Sequence, residues 1–213
     1  MDQTTQTQQK TKFPVYVITG AGLLTAVAVV LQFVQIPMPF LIPSFIKFDA
    51  SDLPALVGSF AYGPVVGIII EFLKNLIHYL TASSSGFVGP LSNFLLGAVF
   101  AGVAGLFYIR KKNKKNAIIG AFAGAVAMAL LSVPINHFIV YPFYYQFMKE
   151  EVVLAQYQAI LPSMKSVLQC LFVFNMPFTL AKGVACALIT MIIYKPISPL
   201  LKWDFKNKKN ERP

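Results

Sequence analysis

The chain has 213 residues, of which 56% are hydrophobic and 12% charged, and its mean hydropathy is +0.65. Soluble domains carry about 25% charged residues, so this composition excludes an ordinary soluble domain and indicates an integral membrane protein. A formal net charge of +10 does not point to a nucleic-acid partner, because the basic residues gather between apolar segments and at the ends, where they report orientation across a bilayer.

The first twelve residues, MDQTTQTQQKTK, form a polar tail expected in the cytoplasm. The apolar run at 14–34 is about twenty residues long and lacks an A-x-A cleavage pattern, so it reads as a first span and not as a signal peptide. Further apolar segments follow at 52–62, 64–80, 88–109, 117–141 and 171–194. The segment at 52–62 covers only about 16 Å as a helix, roughly half the hydrocarbon core.

Charge settles how that short segment runs. Three basic zones, Lys10 with Lys12, the run Arg110 to Lys115, and the tail from Lys195 to Arg212, belong on the cytoplasmic side. An even number of crossings must separate the first two zones, so 52–80 crosses twice, turning inward at Tyr62, Gly63 and Pro64. The reading is an all-α integral membrane protein: one membrane domain over 1–213, with a six-helix bundle at 13–202, a basic cytoplasmic tail at 203–213 and both termini cytoplasmic. The outer connections are 36–51, 81–89 and 143–168. The first, containing IPMPFLIPSF, is too apolar for a solvated linker and is expected to fold back over the outer face. The third, with Glu150, Glu151 and Gln156, is expected to hold an interfacial helix.

With that topology, Asn75, His78, Asn93, Asn136, His137, Asn175, Thr179 and Lys182 all fall within about 15 Å of the outer boundary by helical rise. The inner halves are apolar or small, a distribution that suits an outward-opening pocket and not a pore. Each polar group also has a structural reading. Asn75, Asn93 and His137 are as well placed to bridge helices as to meet a ligand. Glu71 and Lys74, three residues apart, read as an ion pair, and Asp52, before Leu53 and Pro54, as a helix cap. Asn136 follows the helix-disturbing Pro134. Lys182 has no acidic residue within a turn of its own helix, which favours a ligand contact over a structural cross-helix pair. Phe48, Phe87, Phe174 and Phe178, at a similar level, offer faces to a flat ring.

The small residues read as packing surfaces: Gly97, Ala101 and Gly105 in the fourth helix, Gly120 and Gly124 in the fifth. Gly22 and Ala26 in the first helix form a similar pair that either packs internally or docks a membrane partner. Cys170 and Cys186 read as buried small hydrophobes, and no metal site is indicated. No phosphate-binding loop, H-E-x-x-H or nucleophile triad is present in the sequence, so the chain is not expected to be an enzyme, and energy for uphill transport must come from a partner.

Four stretches, FDASDLPALVGSFAYGPVVGIIIEFLKNLIH, GFVGPLSNFLLG, VPINHFIVYP and FNMPFTLAKG with IYKPISPLLK, together resemble the riboflavin-specific substrate-binding (S) component of bacterial energy-coupling factor (ECF) transporters. The resemblance covers nearly everything from Lys47 to Lys202. It implies a six-helix bundle of the ECF S-component type in the bacterial cell membrane, with an outward riboflavin pocket capped by the loop between the first two helices. It also implies a separate transmembrane coupling subunit and two cytoplasmic ATPases, with riboflavin as transported ligand and no cofactor. By position it puts Asn136, Thr179 and Lys182 on the isoalloxazine, Lys47, Phe48 and Asp49 in the capping loop, and the Gly22 and Ala26 face against the coupling subunit. Asn75, Asn93 and Phe178 complete the candidate pocket. Three rival readings are an S component for thiamine, folate or pantothenate, an intramembrane enzyme using Glu71, His78 or Lys182, and a facilitator working alone.

Overall fold

A computed structural model of the chain describes residues 14–44, 46–82 and 86–201, without the side chains of residue 82 and residues 194–201. The polar tails expected at 1–12 and 203–213 lie outside the described residues. In chain order the elements are α1 (Val15–Phe33), a ribbon of β1 (Ile36–Pro37) antiparallel to β2 (Lys47–Phe48), α2 (Asp52–Tyr62), α3 (Pro64–Ala82) and α4 (Val88–Arg110). Next, α5 (Lys114–Ile135) runs through a π-turn at Asn136–Val140 into α6 (Tyr141–Tyr144). Beyond α7 (Glu150–Gln158), α8 (Val167–Cys170) passes through a second π-turn at Leu171–Asn175 into α9 (Met176–Leu201). With the continued helices taken as single rods, the bundle has six main helices. Five of them are long and apolar enough to cross a membrane, and α2 is the short sixth.

The brevity of α2 follows from where it lies. Residues 52–60 are all buried, so α2 is a central plug wrapped by α1, α3, α4 and α9. Leu56 and Phe60 meet Ile70, Phe100 and Met128 in the main apolar core. Helices in lipid gain little from apolar burial and associate mainly through close packing. Accordingly Gly105 faces Pro64, and Gly120 and Gly124 face the Ala104 and Phe100 carbonyls, each leaving no room for a β-carbon. The small residues of α4 and α5 therefore pack within the chain, as expected.

Gly63 joins α2 to α3 with φ of 102°, a conformation that costs any residue with a β-carbon. Gly105 against Pro64, and Gly20 against the Tyr62 ring, place this turn at the end of the bundle that holds the start of α1 and the basic connection from α4 to α5. Asn113 caps α5 there by accepting the Asn116 amide at 2.8 Å. At the opposite end the segment 36–51 folds back as expected: its ribbon pairs Ile36 with Phe48, and Ile42 is fully buried. The helix expected within 143–168 is α7, which packs Val153 and Tyr157 into a second apolar cluster with Val133, Tyr141, Met164 and Leu171.

The two π-turns share one cause. Pro142 and Pro177 lack the N–H that would bond to the carbonyls of Phe138 and Val173, and each ring crowds that carbonyl. The chain widens instead, so that the Tyr141 amide reaches back to Asn136 O and the Met176 amide to Leu171 O. Pro134 was expected to disturb the helix beside Asn136, but α5 stays α-helical through Ile135. The break belongs to Pro142.

Candidate ligand-binding site

Beneath the ribbon, at the end away from Gly63, lies a cavity of 360 Å³, within the range of small-molecule sites. Its walls are built from several elements. The loop 36–51 brings Ile42, Ile46, Lys47 and Asp49. The start of α2 brings Asp52, and α3 brings His78. One face of α4 brings Pro90, Asn93 and Leu96. The π-turns and α6 bring Asn136, Tyr141, Tyr144 and Asn175, and α9 adds Phe178, Thr179 and Lys182. Asn175, Phe178, Thr179 and Lys182 recur at intervals of three and four, so a single helical stripe carries all four.

Of the residues singled out in the sequence, Lys47, Asp49, Asp52, His78, Asn93, Asn136, Asn175, Phe178, Thr179 and Lys182 line this cavity. Phe48 and Asn75 are not among its wall residues. Phe48 stands edge-on to Phe178, ring centroids 6.4 Å apart, and backs the wall. Asn75 is a bridge between α1 and α3: it accepts Gln32 Nε2 at 2.9 Å and donates to the Glu71 backbone carbonyl at 2.8 Å. His137 is exposed and lies against Phe138. Cys170 and Cys186 are free, buried thiols.

A continuous ion network begins on the cavity's inner wall, at Asp49, Asp52 and Lys182, and runs behind it. Lys182 Nζ lies 3.1 Å from Asp49 Oδ2 and 3.0 Å from Asp52 Oδ2. The other oxygen of Asp52 is 2.5 Å from Lys74 Nζ, which also meets the Glu71 carboxylate at 2.9 Å and Ser51 Oγ at 2.9 Å. Asp49 in turn accepts the Ser51 amide at 2.9 Å and its hydroxyl. Gly97 of α4 leaves the space that the Glu71 carboxylate fills. The pairing of Glu71 with Lys74 is as read from their spacing.

The reading of Asp52 as a helix cap needs correction, and Lys182 makes the cross-helix pairing that was the alternative to a ligand contact. Lys182 has two acidic partners, both distant in sequence, so spacing along its own helix could not reveal them. Asp52 makes no cap hydrogen bond: Ser51 holds the cap position without one, and Asp52 faces the two lysines. Ionisable groups this deep are tolerated only when each charge is partnered. On the wall itself Asp49 and Asp52 supply two negative charges against Lys182 and Lys47, while Glu71 and Lys74 lie behind it. The cavity is formally neutral.

The asparagines have fixed polarity. Asn136 Nδ2 donates to the Ser132 carbonyl at 2.7 Å, leaving its side-chain oxygen for the cavity, while Asn175 Oδ1 accepts the Tyr157 hydroxyl at 2.6 Å. Tyr141, Asn175 and Asp52 were not among the site residues expected from sequence. The signal for Asn175 was its place on the stripe that ends at Lys182, and the signal for Tyr141 was its neighbour Pro142.

An all-helical membrane bundle that closes polar groups into a pocket at one end, above an apolar core at the other, is a solute-binding membrane subunit. Residues 17–194 match the family described as "ECF transporter, substrate-specific component", and the chain belongs to that family. It is 32% identical over 182 residues, 85% of this chain and 89% of the relative, to the riboflavin transporter RibU of Staphylococcus aureus (strain TCH60). It is 25% identical over 183 residues, 85% of this chain and 91% of the relative, to the riboflavin transporter FmnP of Bacillus subtilis (strain 168). A solved structure described as "Structure and mechanism of the S component of a bacterial ECF transporter" superposes with a TM-score of 0.68 at 30% identity, covering 88% of this chain and 98% of that one. The relatives are named as transporters, in keeping with a binding subunit and not an enzyme.

Proposed function

We propose that this chain is the riboflavin-binding subunit of an ECF importer, working as a single membrane domain. It captures the vitamin in the cavity beneath the loop 36–51 and delivers it to the cytoplasm with an ATP-driven partner module. The observation that carries this reading is the cavity: formally neutral, walled by Phe178, Tyr141 and Tyr144, and set with fixed hydrogen-bonding groups. Riboflavin is uncharged, flat and polar at its edges. Thiamine is a cation, and folate and pantothenate are anions, so each would leave a charge unbalanced against this wall. The similarity to proteins named riboflavin transporters over 85% of the chain supports the same ligand.

In this reading Asn93, Asn136, Thr179 and Lys182 supply the polar contacts. Asn75 holds the scaffold behind them, and Lys47, Phe48 and Asp49 close the outer side. The partner module comprises a transmembrane coupling subunit and two cytoplasmic ATPases. Both termini and the basic run from Arg110 to Lys115 face the cytoplasm, as the clustering of positive charge indicates. The exposed Gly22 and Ala26 of α1, with no atom of the described residues within 4 Å of a β-carbon at Gly22, suit the docking face.

The test is the absorption spectrum of protein purified without added ligand, followed by titration with riboflavin. A stoichiometric flavin spectrum, or tight quenching of riboflavin fluorescence, is expected. No binding at micromolar riboflavin together with tight binding of another vitamin overturns the assignment.

A further inference from the structure

The outer helix α7 contributes no wall residue to the cavity, yet its Tyr157 is 0% exposed and touches two residues that do. The Tyr157 hydroxyl donates to Asn175 Oδ1 at 2.6 Å and lies 2.6 Å from the Tyr141 hydroxyl. A phenol has one proton to give. With that proton on Asn175, Tyr141 is the donor to Tyr157, and the chain runs from Tyr141 through Tyr157 to Asn175. Burial raises the Tyr157 pKa above its ordinary value, so the phenol keeps its proton and remains a donor.

A side-chain amide rotated by half a turn exchanges its donor and acceptor ends. The Tyr157 hydroxyl lies on the Oδ1 end of the Asn175 amide and holds that end away from the cavity. Asn175 Nδ2 is then the end turned toward the cavity that Asn175 lines. Asn136 is fixed in the opposite sense by the Ser132 carbonyl.

We propose that Tyr157 is a positioning residue for ligand recognition, holding the Asn175 amide so that it presents a hydrogen-bond donor and selects a ligand with a ring carbonyl at that point. The proposal deepens the riboflavin reading and rests on it. The carbonyl concerned belongs to the pyrimidinedione ring of the isoalloxazine.

The experiment is a double-mutant cycle on riboflavin affinity with wild type, Tyr157→Phe, Asn175→Ala and the double variant, each checked for a folded melting transition. Tyr157→Phe is expected to weaken binding about tenfold, as for loss of an ordered hydrogen bond. In the Asn175→Ala background it is expected to change affinity by less than about twofold, because the two residues act as one unit. Unchanged affinity in Tyr157→Phe, or effects of the two substitutions that multiply, overturns the positioning role while leaving the ligand reading intact. No riboflavin binding by wild type overturns both. If Tyr157→Phe does not fold, the infrared carbonyl bands of riboflavin bound to wild type and to Asn175→Ala decide. A lower-frequency carbonyl band in wild type supports the donor, and identical bands overturn it.

Discussion

Asp52 divides its carboxylate between two lysines from different helices, one oxygen 2.5 Å from Lys74 and the other 3.0 Å from Lys182. Lys182 is thus the cavity-facing end of a network whose other end, Glu71, is sealed in the core. Replacing it with alanine removes a charged donor from the ligand and leaves Asp49 and Asp52 sharing one cation fewer. Lys182→Ala should weaken riboflavin binding by ~1.5–3 kcal/mol. Fluorescence quenching reads this directly. Unchanged affinity in a folded Lys182→Ala protein would remove Lys182 from the site.

Lys74 touches no ligand in this arrangement, and its loss should act on stability. It is fully buried and balances both Glu71 and Asp52. Truncation to Lys74→Met strands the Glu71 carboxylate and leaves Asp52 with Lys182 alone, and breaking a buried pair in this way costs ~3–5 kcal/mol. Lys74→Met combined with Glu71→Leu, which removes the stranded charge, should recover much of the loss. Melting of the detergent-purified protein followed by tryptophan-independent light scattering would show it. A Lys74→Met protein as stable as wild type would mean that the network contributes nothing to the fold.

Much of this architecture is legible in residue types and their order. The run of basic residues after Arg110 and the Gly-Pro turn at 63–64 together require the helical hairpin that α2 and α3 form, even though α2 is too short to be recognised by hydropathy. The gathering of polar groups at one end was also legible, since helical rise converts position into depth. What was not legible is pairing across the chain. Lys182 looked solitary because its partners Asp49 and Asp52 lie more than a hundred residues earlier, and Asp52 looked like a cap because only its local neighbours could be consulted. The π-turns were half visible. Three prolines stand near cavity residues, but which of them widens the helix depends on whether the backbone can still close its α-turn, and Pro134 and Pro142 differ in that respect only in three dimensions.

That difference is itself testable. Pro142→Ala and Pro177→Ala restore an N–H to helices that have widened around its absence, and the α-turn becomes available. Closing the π-turn rotates the residues after it relative to those before it, so that Asn136 and Tyr141, or Asn175 and Phe178, no longer face the cavity together. Each substitution should keep or raise thermal stability while lowering riboflavin affinity about tenfold, the equivalent of one ordered hydrogen bond. Pro134→Ala, which lies where the helix is already regular, should change affinity much less. Equal effects from Pro134→Ala and Pro142→Ala would count against the π-turn as the device that aims the site.

The outer surface of α1 gives the sharpest separation between binding and transport. Leu24, Thr25 and Ala28 turn inward, whereas Gly22 and Ala26 are exposed, and a side chain added at Gly22 meets nothing within 4 Å. Gly22→Leu and Ala26→Leu, both at exposed positions, are therefore expected to leave the melting temperature and riboflavin affinity within error of wild type. A small-residue face permits close approach of another helix, and a leucine there holds the two helices apart. Uptake of riboflavin into cells or proteoliposomes carrying the full ATP-driven complex should consequently fall at least about tenfold, corresponding to a loss of roughly 1.4 kcal/mol in the docked state. Co-purification of the coupling subunit with the tagged variant gives the same answer without transport. Full uptake with intact co-purification would place the docking face on another helix.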